Sequence, residues 1–355
     1  MQKSSDTQTL PENPTVLAEQ LLNWFYQNGR DMPWRVKGKA HPNPYAVWIS
    51  EIMLQQTTVK TVIDYFQRWM LHFPTIESLA QADLQEVLLY WQGLGYYTRA
   101  KKIHECAILL MQKYNGKIPD KRELLLKLPG IGPYSASSIC AFAFNQPETV
   151  VDGNVIRVIA RLCGLTHAVK KEEIYNLAIQ ITPPNNGADY ASAIMDLGAT
   201  ICTPNTPQCQ ICPWKEKCIA YQNHLTETIP VIEKPIKKIK QGFVYLIQNE
   251  HGDFYIEKRQ GKGLLSGLYE FPWQEDEQHF PLFTHPNWKT DSTAVSHTFT
   301  HFQLTLKLAR ITTKEADCPL KNGLFVAENA FKNYPFSTLM KKVMKHLHEK
   351  EPQLF

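Results

Sequence analysis

The sequence predicts an α+β protein of two domains, a helical domain followed by a smaller mixed one. Apolar residues recur at helical spacing through about the first 220 residues. The segment HLTETIPVIEKPIKKIKQG then interrupts this pattern, because it is rich in Pro and Lys and has little periodicity. Beyond it, FVYLIQNEHGDFYIEKR is typical of two strands around a turn. We therefore expect a helical domain at residues 1–221, a linker at 222–240 and a second domain at 241–355.

The helical domain divides into segments that glycines and prolines bound. Gly29 ends the first segment, and Pro44 opens a second that is long and rich in apolar residues. A tight glycine turn precedes the helix that begins at Pro133. The predicted helical segments lie at residues 14–30, 44–70, 79–95, 99–116, 121–128, 133–144, 151–164, 172–182 and 190–202.

The second domain carries strand signals and one closing helix. In HFQLTLKLARI apolar residues alternate, which places Phe302, Leu304, Leu306 and Leu308 on one face of a strand. The amphipathic segment PFSTLMKKVMKHLHEK predicts a helix at 335–350.

Composition limits the classes of protein to which the chain can belong. A hydrophobic content of 43% allows a sizeable core, and a formal net charge of +4 is compatible with nucleic acid without predicting it. The first residues lack the apolar run of a signal peptide, and no stretch is long and apolar enough to cross a membrane. We therefore expect a cytosolic protein, in which thiols stay reduced. Four scattered cysteines in apolar contexts are expected to be core residues: Cys106, Cys140, Cys163 and Cys318.

The other four cysteines lie together in CTPNTPQCQICPWKEKC, with six, two and five residues between them. Clustered cysteines in a reducing compartment usually bind metal. Four thiolates suit a tetrahedral zinc ion, and they suit a [4Fe–4S] cluster equally well. The spacing alone leaves both open for the ligand set Cys202, Cys209, Cys212 and Cys218.

The stretch LPGIGPYSASS predicts a tight turn between two helices. Gly130 and Gly132 permit a compact backbone, and the second helix begins at Pro133. Backbone N–H groups at a helix N-terminus can hold a phosphate. An ordinary corner between helices is the alternative.

Glu51 has unusual neighbours, since it is the only ionisable residue between Tyr45 and Val59. At helical spacing it would share a polar stripe with Gln55 and Thr58 on an otherwise apolar helix. A carboxyl group in apolar surroundings can stay protonated at neutral pH and act as an acid. The alternative is a solvated glutamate.

Asp152 lies in VVDGNV, directly before a helix. Its alternative role is that of an N-cap, although Asn154 could cap the helix and leave Asp152 free. One protonated and one ionised carboxyl group are what cleavage of an N-glycosidic bond requires, because the base must be protonated and the sugar cation stabilised. A base inside a duplex must first be flipped out.

Seven stretches together resemble the MutY-type adenine DNA glycosylases of the helix-hairpin-helix superfamily. They are RDMPWR, VWISEIMLQQT, WQGLGYYTRA, LPGIGPYSA, VDGNVIRV, MDLGATIC and the cysteine loop. The pieces occur in the family's order and cover nearly the whole helical part. The resemblance implies an all-α helix-hairpin-helix glycosylase, with the hairpin at about 121–144 and an iron–sulfur loop at 202–218. It also implies a [4Fe–4S] cluster, rather than zinc, on the four clustered cysteines.

The resemblance implies a monofunctional enzyme that hydrolyses the N-glycosidic bond of adenine and leaves an abasic site. Bifunctional relatives carry a lysine in the hairpin where this chain has Tyr134, so no amine is available there for a Schiff base. By the same resemblance Glu51 protonates adenine at N7, and Asp152 stabilises the sugar cation. Tyr134 and Asn154 position these groups.

Further site residues follow from the resemblance alone. An adenine pocket and two wedge residues that fill the gap in the duplex are implied, together with contacts of the hairpin glycines to the DNA backbone. The implied residues are Trp34, Arg35, Leu54 and Asp196 for the pocket, Gln56 and Tyr96 for the wedge, and Gly130 and Gly132 for the backbone.

The C-terminal domain resembles the family's α/β Nudix-like domain through GLLSGLYEFPW, without the acidic signature of a Nudix hydrolase. In the family a Phe-Ser-His loop of this domain reads 8-oxoguanine opposite the adenine. Phe299, Thr300 and His301 stand at that place here. The expected partner is double-stranded DNA with A:8-oxoG or A:G mispairs, bound by a monomer in a bacterial-type cytoplasm at the nucleoid. The alternatives are a bifunctional enzyme resembling endonuclease III and a non-catalytic iron–sulfur DNA-binding module.

Overall fold

The fold is taken from a computed structural model, and it divides into two compact units. One unit comprises Met1–Ala80 and Glu105–Lys234, and the other comprises Gln81–His104 and Pro235–Phe355. The segment Gln81–His104 thus groups with the C-terminal residues, whereas the sequence interpretation assigned it to the helical domain. The predicted domain bounds stay a prediction. The structure describes residues 10–37, 42–231, 238–261, 263–275 and 280–348, so part of the predicted linker lies outside them.

Helices account for most of the regular structure before residue 223. A π-helical turn, Leu197–Ile201, follows the eleventh helix, and two short 3-10 turns lie in the cysteine loop. The α-helices are α1 (Pro14–Asn28), α2 (Pro44–Leu54), α3 (Val59–His72), α4 (Ile76–Gln81), α5 (Leu84–Trp91), α6 (Thr98–Tyr114), α7 (Arg122–Leu125), α8 (Pro133–Phe144), α9 (Gly153–Leu162), α10 (Lys171–Ile181), α11 (Gly187–Asp196) and α12 (Ile219–Gln222).

The prediction of a single helix for residues 44–70 is wrong, because the helical structure is interrupted between α2 and α3. Gln56 has a left-handed backbone with φ of 58°, which no helix can contain. The Thr58 side chain accepts a hydrogen bond from the Thr61 N–H and caps α3. The sequence interpretation placed Thr58 on the same helical face as Glu51. This placement is wrong, because Thr58 lies outside the helix of Glu51.

The core of the first unit joins its first helix to later ones. Leu17 and Leu21 of α1 are fully buried in the same apolar cluster as Val158 of α9 and Ile194 of α11. The Trp214 indole N–H donates to the Leu17 carbonyl over 2.9 Å, which fastens the cysteine loop to α1. The cysteine loop is therefore part of a packed core.

The second unit is built on a mixed sheet. Within the described residues the strand order is β3-β2-β1-β6-β5, with β4 paired to β1 and β7 paired to β2. The long central strands β1 and β6 run parallel, and the other pairs are antiparallel. The strands are β1 (Lys238–Gln248), β2 (Phe254–Lys258), β3 (Tyr269–Glu270), β4 (Trp273–Gln274), β5 (Lys289–Thr298), β6 (Phe302–Thr312) and β7 (Gly323–Val326), and the helix α13 (Thr338–Met344) packs on the sheet.

The burial of β6 follows its sequence pattern. Leu304, Leu306 and Leu308 are fully buried in one apolar cluster with Leu339 of α13, as the alternation predicted. Helix α13 is shorter than the predicted 335–350, and the last two residues of that range lie outside the described residues. The four scattered cysteines are buried, so their interpretation as core residues is confirmed for Cys106, Cys140, Cys163 and Cys318.

Candidate active site

Glu51 lies in the last turn of α2 and is only 9% exposed. Burial raises the pKa of its carboxyl group to about 7, because the charged form loses its hydration. The Ser138 side chain hydrogen-bonds the carboxyl group and opposes this rise, the charge of Asp152 adds to it, and the charge of Arg35 opposes it. Glu51 therefore exists in both protonation states near neutral pH, as a group that gives and takes a proton must.

Asp152 stands at the N-terminus of α9 and caps it. One carboxylate oxygen accepts from the Val155 N–H over 2.8 Å, and the other accepts from the Asn154 amide nitrogen over 2.9 Å. The interpretation that Asn154 could cap the helix is therefore wrong. Asn154 instead binds the carboxylate of the cap, so two N–H donors fix Asp152 in orientation.

Tyr134 lies in the first turn of α8, directly after the glycine turn. Gly130 has a φ of 78°, which favours glycine, while Gly132 is extended and offers no side chain to cap α8. Burial raises the pKa of the Tyr134 phenol well above its usual range, and the charges of Glu51 and Asp152 raise it further. The tyrosine therefore lies beside both carboxyl groups as a neutral phenol.

These groups surround one cavity of about 390 Å³ in the first unit. The volume is large enough for a purine, since ligand cavities typically hold about 300–1,000 Å³. Eight of the residues that the sequence suggested for the site line it, namely Trp34, Arg35, Glu51, Leu54, Gln56, Tyr134, Asp152 and Asn154.

Asp196 does not line the cavity, although it was a candidate for the adenine pocket. Its side chain is fully buried and binds Arg30 over 2.7 Å and Arg35 over 2.8 Å. Burial opposes ionisation of Asp196, but the hydrogen bonds and charges of the two arginines outweigh it and lower the pKa. Asp196 therefore holds the arginines at the cavity wall.

Sequence reasoning missed two residues that support the site. Arg157 donates to the Asn154 side chain over 2.9 Å and to the carbonyl oxygen of Cys202 over 2.7 Å. Gly198 lies so close to Asn154 that an added Cβ would approach the Asn154 Cβ to 2.6 Å. Arg157 follows Asn154 by three residues on one helix, a spacing that could have indicated their contact.

The four clustered cysteines line one small pocket. Arg161, only 2% exposed, donates to the Cys202 sulfur over 3.4 Å and to the Thr203 carbonyl over 2.7 Å. Within the described residues no group of three or more His, Cys, Asp or Glu side chains is placed to hold a single metal ion. The pocket therefore brings the four clustered thiols together beside the buried guanidinium of Arg161.

The remaining candidates lie in the second unit. Phe299, Thr300 and His301 form the turn between β5 and β6, and the Phe299 ring packs against His297 at 4.7 Å between ring centroids. The Tyr96 hydroxyl forms a hydrogen bond with the Thr300 hydroxyl. The structure thus places the tyrosine beside the turn.

The domain organisation agrees with two known families. Residues 49–184 match the HhH-GPD superfamily of base excision DNA repair proteins, and residues 243–346 match the NUDIX domain. A thermostable thymine-DNA glycosylase of known structure aligns with a TM-score of 0.53 and 27% identity, covering 59% of this chain and 97% of that one. An endonuclease III–DNA complex, at 24% identity and a TM-score of 0.51, shares the fold. The helical unit is therefore that of a helix-hairpin-helix DNA glycosylase.

Relatives of known activity narrow the class. The chain is 37% identical to an adenine DNA glycosylase of Buchnera aphidicola subsp. Acyrthosiphon pisum, over 81% of this chain and 84% of the relative. It is 31% identical to the human adenine DNA glycosylase, over 95% of this chain and 75% of the relative. The chain belongs to the adenine DNA glycosylase family and is a DNA N-glycosylase, a hydrolase. Among the described residues no helix has the length and apolar character needed to cross a bilayer.

Proposed function

We propose that this protein is a monofunctional glycosylase that removes adenine paired with 8-oxoguanine or guanine. The observation that carries the proposal is the buried Glu51, whose pKa is near 7, beside the fixed carboxylate of Asp152 in a cavity of purine size. The hairpin position of the bifunctional enzymes holds Tyr134, which has no amine to attack C1′.

The two carboxyl groups divide the chemistry. Glu51 gives its proton to N7 of the flipped adenine, so that the bond between C1′ and N9 breaks and its electron pair leaves with the base. Asp152 carries the negative charge that stabilises the resulting sugar cation. Water then attacks C1′, and the ionised Glu51 accepts its proton, which restores the starting state and leaves an abasic site.

Tyr134 and Asn154 act as positioning residues for the two acids. Asn154 holds Asp152 by a hydrogen bond, and Arg157 in turn holds Asn154. Tyr134 lies beside both acids and excludes water from them, which favours the protonated form of Glu51.

The adenine pocket and the DNA contacts complete the proposal. Trp34, Arg35 and Leu54 line the cavity and would surround the base, while Asp196 contributes by fixing Arg35. By resemblance, the wedge residues are Gln56 and Tyr96, and the contacts to the DNA backbone come from Gly130 and Gly132. The protein would bind double-stranded DNA as a monomer.

Discrimination between 8-oxoguanine and guanine is proposed for the turn between β5 and β6. Thr300 supplies a hydroxyl group that can donate and accept a hydrogen bond. Its neighbours Phe299 and His301 flank it on an exposed turn that a duplex could reach.

The cysteine pocket fits the [4Fe–4S] cluster that the resemblance implied. Four thiols line one pocket, and thiolates are the ligands that a [4Fe–4S] cluster takes. The buried Arg161 would offset part of the negative charge of the thiolates. The ligands would be Cys202, Cys209, Cys212 and Cys218, and the cluster would supply the cross-link that shapes this loop.

Incubation with an A:8-oxoG duplex, followed by hot alkali, tests the proposed function. Strand scission only after alkali is the expected result, because a monofunctional enzyme leaves an intact abasic strand. Scission without alkali would instead identify a bifunctional lyase, and the absence of scission a non-catalytic DNA-binding protein. A matched A:G duplex measures the preference for the lesion.

A further inference from the structure

The turn that presents Tyr96 has a strained backbone. Three of its residues, Gly93, Gly95 and Tyr96, have positive φ angles of 113°, 69° and 46°. Two of them are glycines, but a tyrosine in this region costs about 1 kcal/mol or more because its Cβ crowds the backbone. The Tyr96 side chain is nevertheless 47% exposed, so burial of the ring does not explain the conformation. Other contacts must hold the turn in place.

Arg99 supplies such contacts from the first turn of α6. Its guanidinium donates to the carbonyl oxygen of Leu94 over 3.1 Å and to that of Gly95 over 3.3 Å. The indole N–H of the fully buried Trp91 donates to the same Gly95 carbonyl over 2.9 Å. The guanidinium also lies 5.1 Å from the centroid of the Trp91 ring. One arginine therefore contacts both the backbone of the turn and the buried Trp91 ring beneath it.

The same guanidinium reaches the exposed tyrosine. It lies 5.5 Å from the centroid of the Tyr96 ring, within the range of a cation–π contact. Burial lowers the pKa of Arg99 to about 10, so the side chain stays charged at physiological pH. Arg99 also donates its backbone N–H to the Tyr96 carbonyl over 2.8 Å. Two contacts of Arg99, one to the ring and one to the backbone, thus hold the residue proposed to enter the duplex.

We propose that Arg99 is a positioning residue that fixes the backbone and ring of Tyr96 for entry into the DNA stack. The inference rests on the proposed function, in which Tyr96 is a wedge residue, and deepens it. Arg99 acts through Tyr96 and touches neither the adenine pocket nor the carboxyl groups. One guanidinium nitrogen, Nη2, donates to both carbonyls while the same charged plane lies near the rings of Trp91 and Tyr96, a combination that the compact ammonium of a lysine does not reproduce.

A double-mutant cycle between Arg99 and Tyr96 tests this role. Single-turnover excision of adenine and the fluorescence of a 2-aminopurine beside the target pair are measured, since unstacking by a wedge raises this fluorescence. Arg99→Met is expected to lower both the excision rate, by roughly tenfold, and the fluorescence rise. Arg99→Lys is expected to recover part of each signal. In the Tyr96→Ala background, Arg99→Met should change the excision rate by less than about twofold, because the tyrosine ring that Arg99 positions is already absent.

Arg68→Met is the matched control. The Arg68 guanidinium also lies over a tyrosine, 4.6 Å from the centroid of the Tyr65 ring, but Arg68 is on the exposed face of α3. It should leave both signals unchanged. Equal losses from Arg99→Met with and without Tyr96 would overturn the proposal, as would a loss of excision with a normal fluorescence rise. If Arg99→Met does not fold, the same cycle with Arg99→Lys decides. A wild-type protein that unstacks the duplex without releasing adenine would refute the proposed function alone.

Discussion

At the scale of the residue, the acid at Glu51 depends on its surroundings. The sequence placed a lone carboxyl group in an apolar stretch, and the structure buries it with a pKa near 7. That inference was possible because the apolar residues around Glu51 in the sequence mark its helix as buried. The charges of Arg35 and Asp152 come from distant parts of the chain, so no local pattern could indicate them.

The pKa of Glu51 predicts how excision depends on pH. Only the protonated carboxyl group can give a proton to adenine, and its fraction falls as the pH rises through about 7. The single-turnover rate should therefore fall above this pH by up to about tenfold per pH unit. Rates measured from pH 5.5 to pH 9 at saturating protein check this expectation. A rate that stays level across this range would contradict the acid role.

Replacement of the acid gives a second prediction at this scale. Glu51→Gln should lower excision by at least about 10²-fold, because the amide cannot give up a proton, while duplex affinity stays nearly unchanged. Glu19→Gln on the exposed face of α1 is the matched control and should keep full activity. Near-normal turnover of Glu51→Gln would refute the assignment of the acid.

At the scale of the element, the site depends on how helix ends meet. The N-terminus of α9 presents Asp152 and Asn154, and Arg157 ties them to the start of the cysteine loop at Cys202. The π-helical turn after α11 approaches the same point through Gly198. Because these contacts join separate elements, a change in one should move the other.

Gly198→Ala tests this close approach. The new methyl group would lie 2.6 Å from the Asn154 Cβ, so Asn154 must shift and Asp152 loses a properly placed donor. We expect excision to fall by about 10-fold to 100-fold with duplex affinity largely kept. Ala199→Ser, which adds one atom at the exposed neighbouring position, should have little effect. Unchanged excision in Gly198→Ala would show that the approach has no role in positioning.

The elements themselves were predictable where one face is apolar over several turns. The helical segments of the first unit and the face of β6 follow directly from such periodicity. The break at Gln56 could not be predicted, because its left-handed backbone replaces a helical turn without a glycine or proline to indicate it. The strand β5 was also missed, since its sequence KTDSTAVSHT is polar and its only fully buried position is Val295.

At the scale of the whole molecule, each unit carries a different part of the proposed function. The acids and the cysteine pocket lie in the first unit, and Tyr96 and the turn at Thr300 lie in the second. Local patterns gave no sign that Gln81–His104 groups with the C-terminal residues. The contacts responsible are between residues far apart in sequence, such as the bond from the Tyr97 hydroxyl to the Phe336 carbonyl over 3.1 Å. Deleting the C-terminal residues would therefore also remove partners of this segment.

A single substitution tests lesion reading with a smaller disturbance, because it removes only the hydrogen bond from Thr300 to Tyr96 and keeps the one between Tyr97 and Phe336. Thr300→Val keeps the shape of the side chain but removes the hydroxyl group that would bind the base opposite adenine. One such hydrogen bond contributes about 1 kcal/mol, so the ratio of excision rates at A:8-oxoG and A:G should fall by roughly fivefold. Thr305→Val is the matched control, since Thr305 also pairs its hydroxyl, with Ser296 over 2.9 Å, on the same hairpin. It should leave the ratio intact. If Thr300→Val slows excision equally on both duplexes, the turn serves binding in general, and preference for the lesion must arise elsewhere in the molecule.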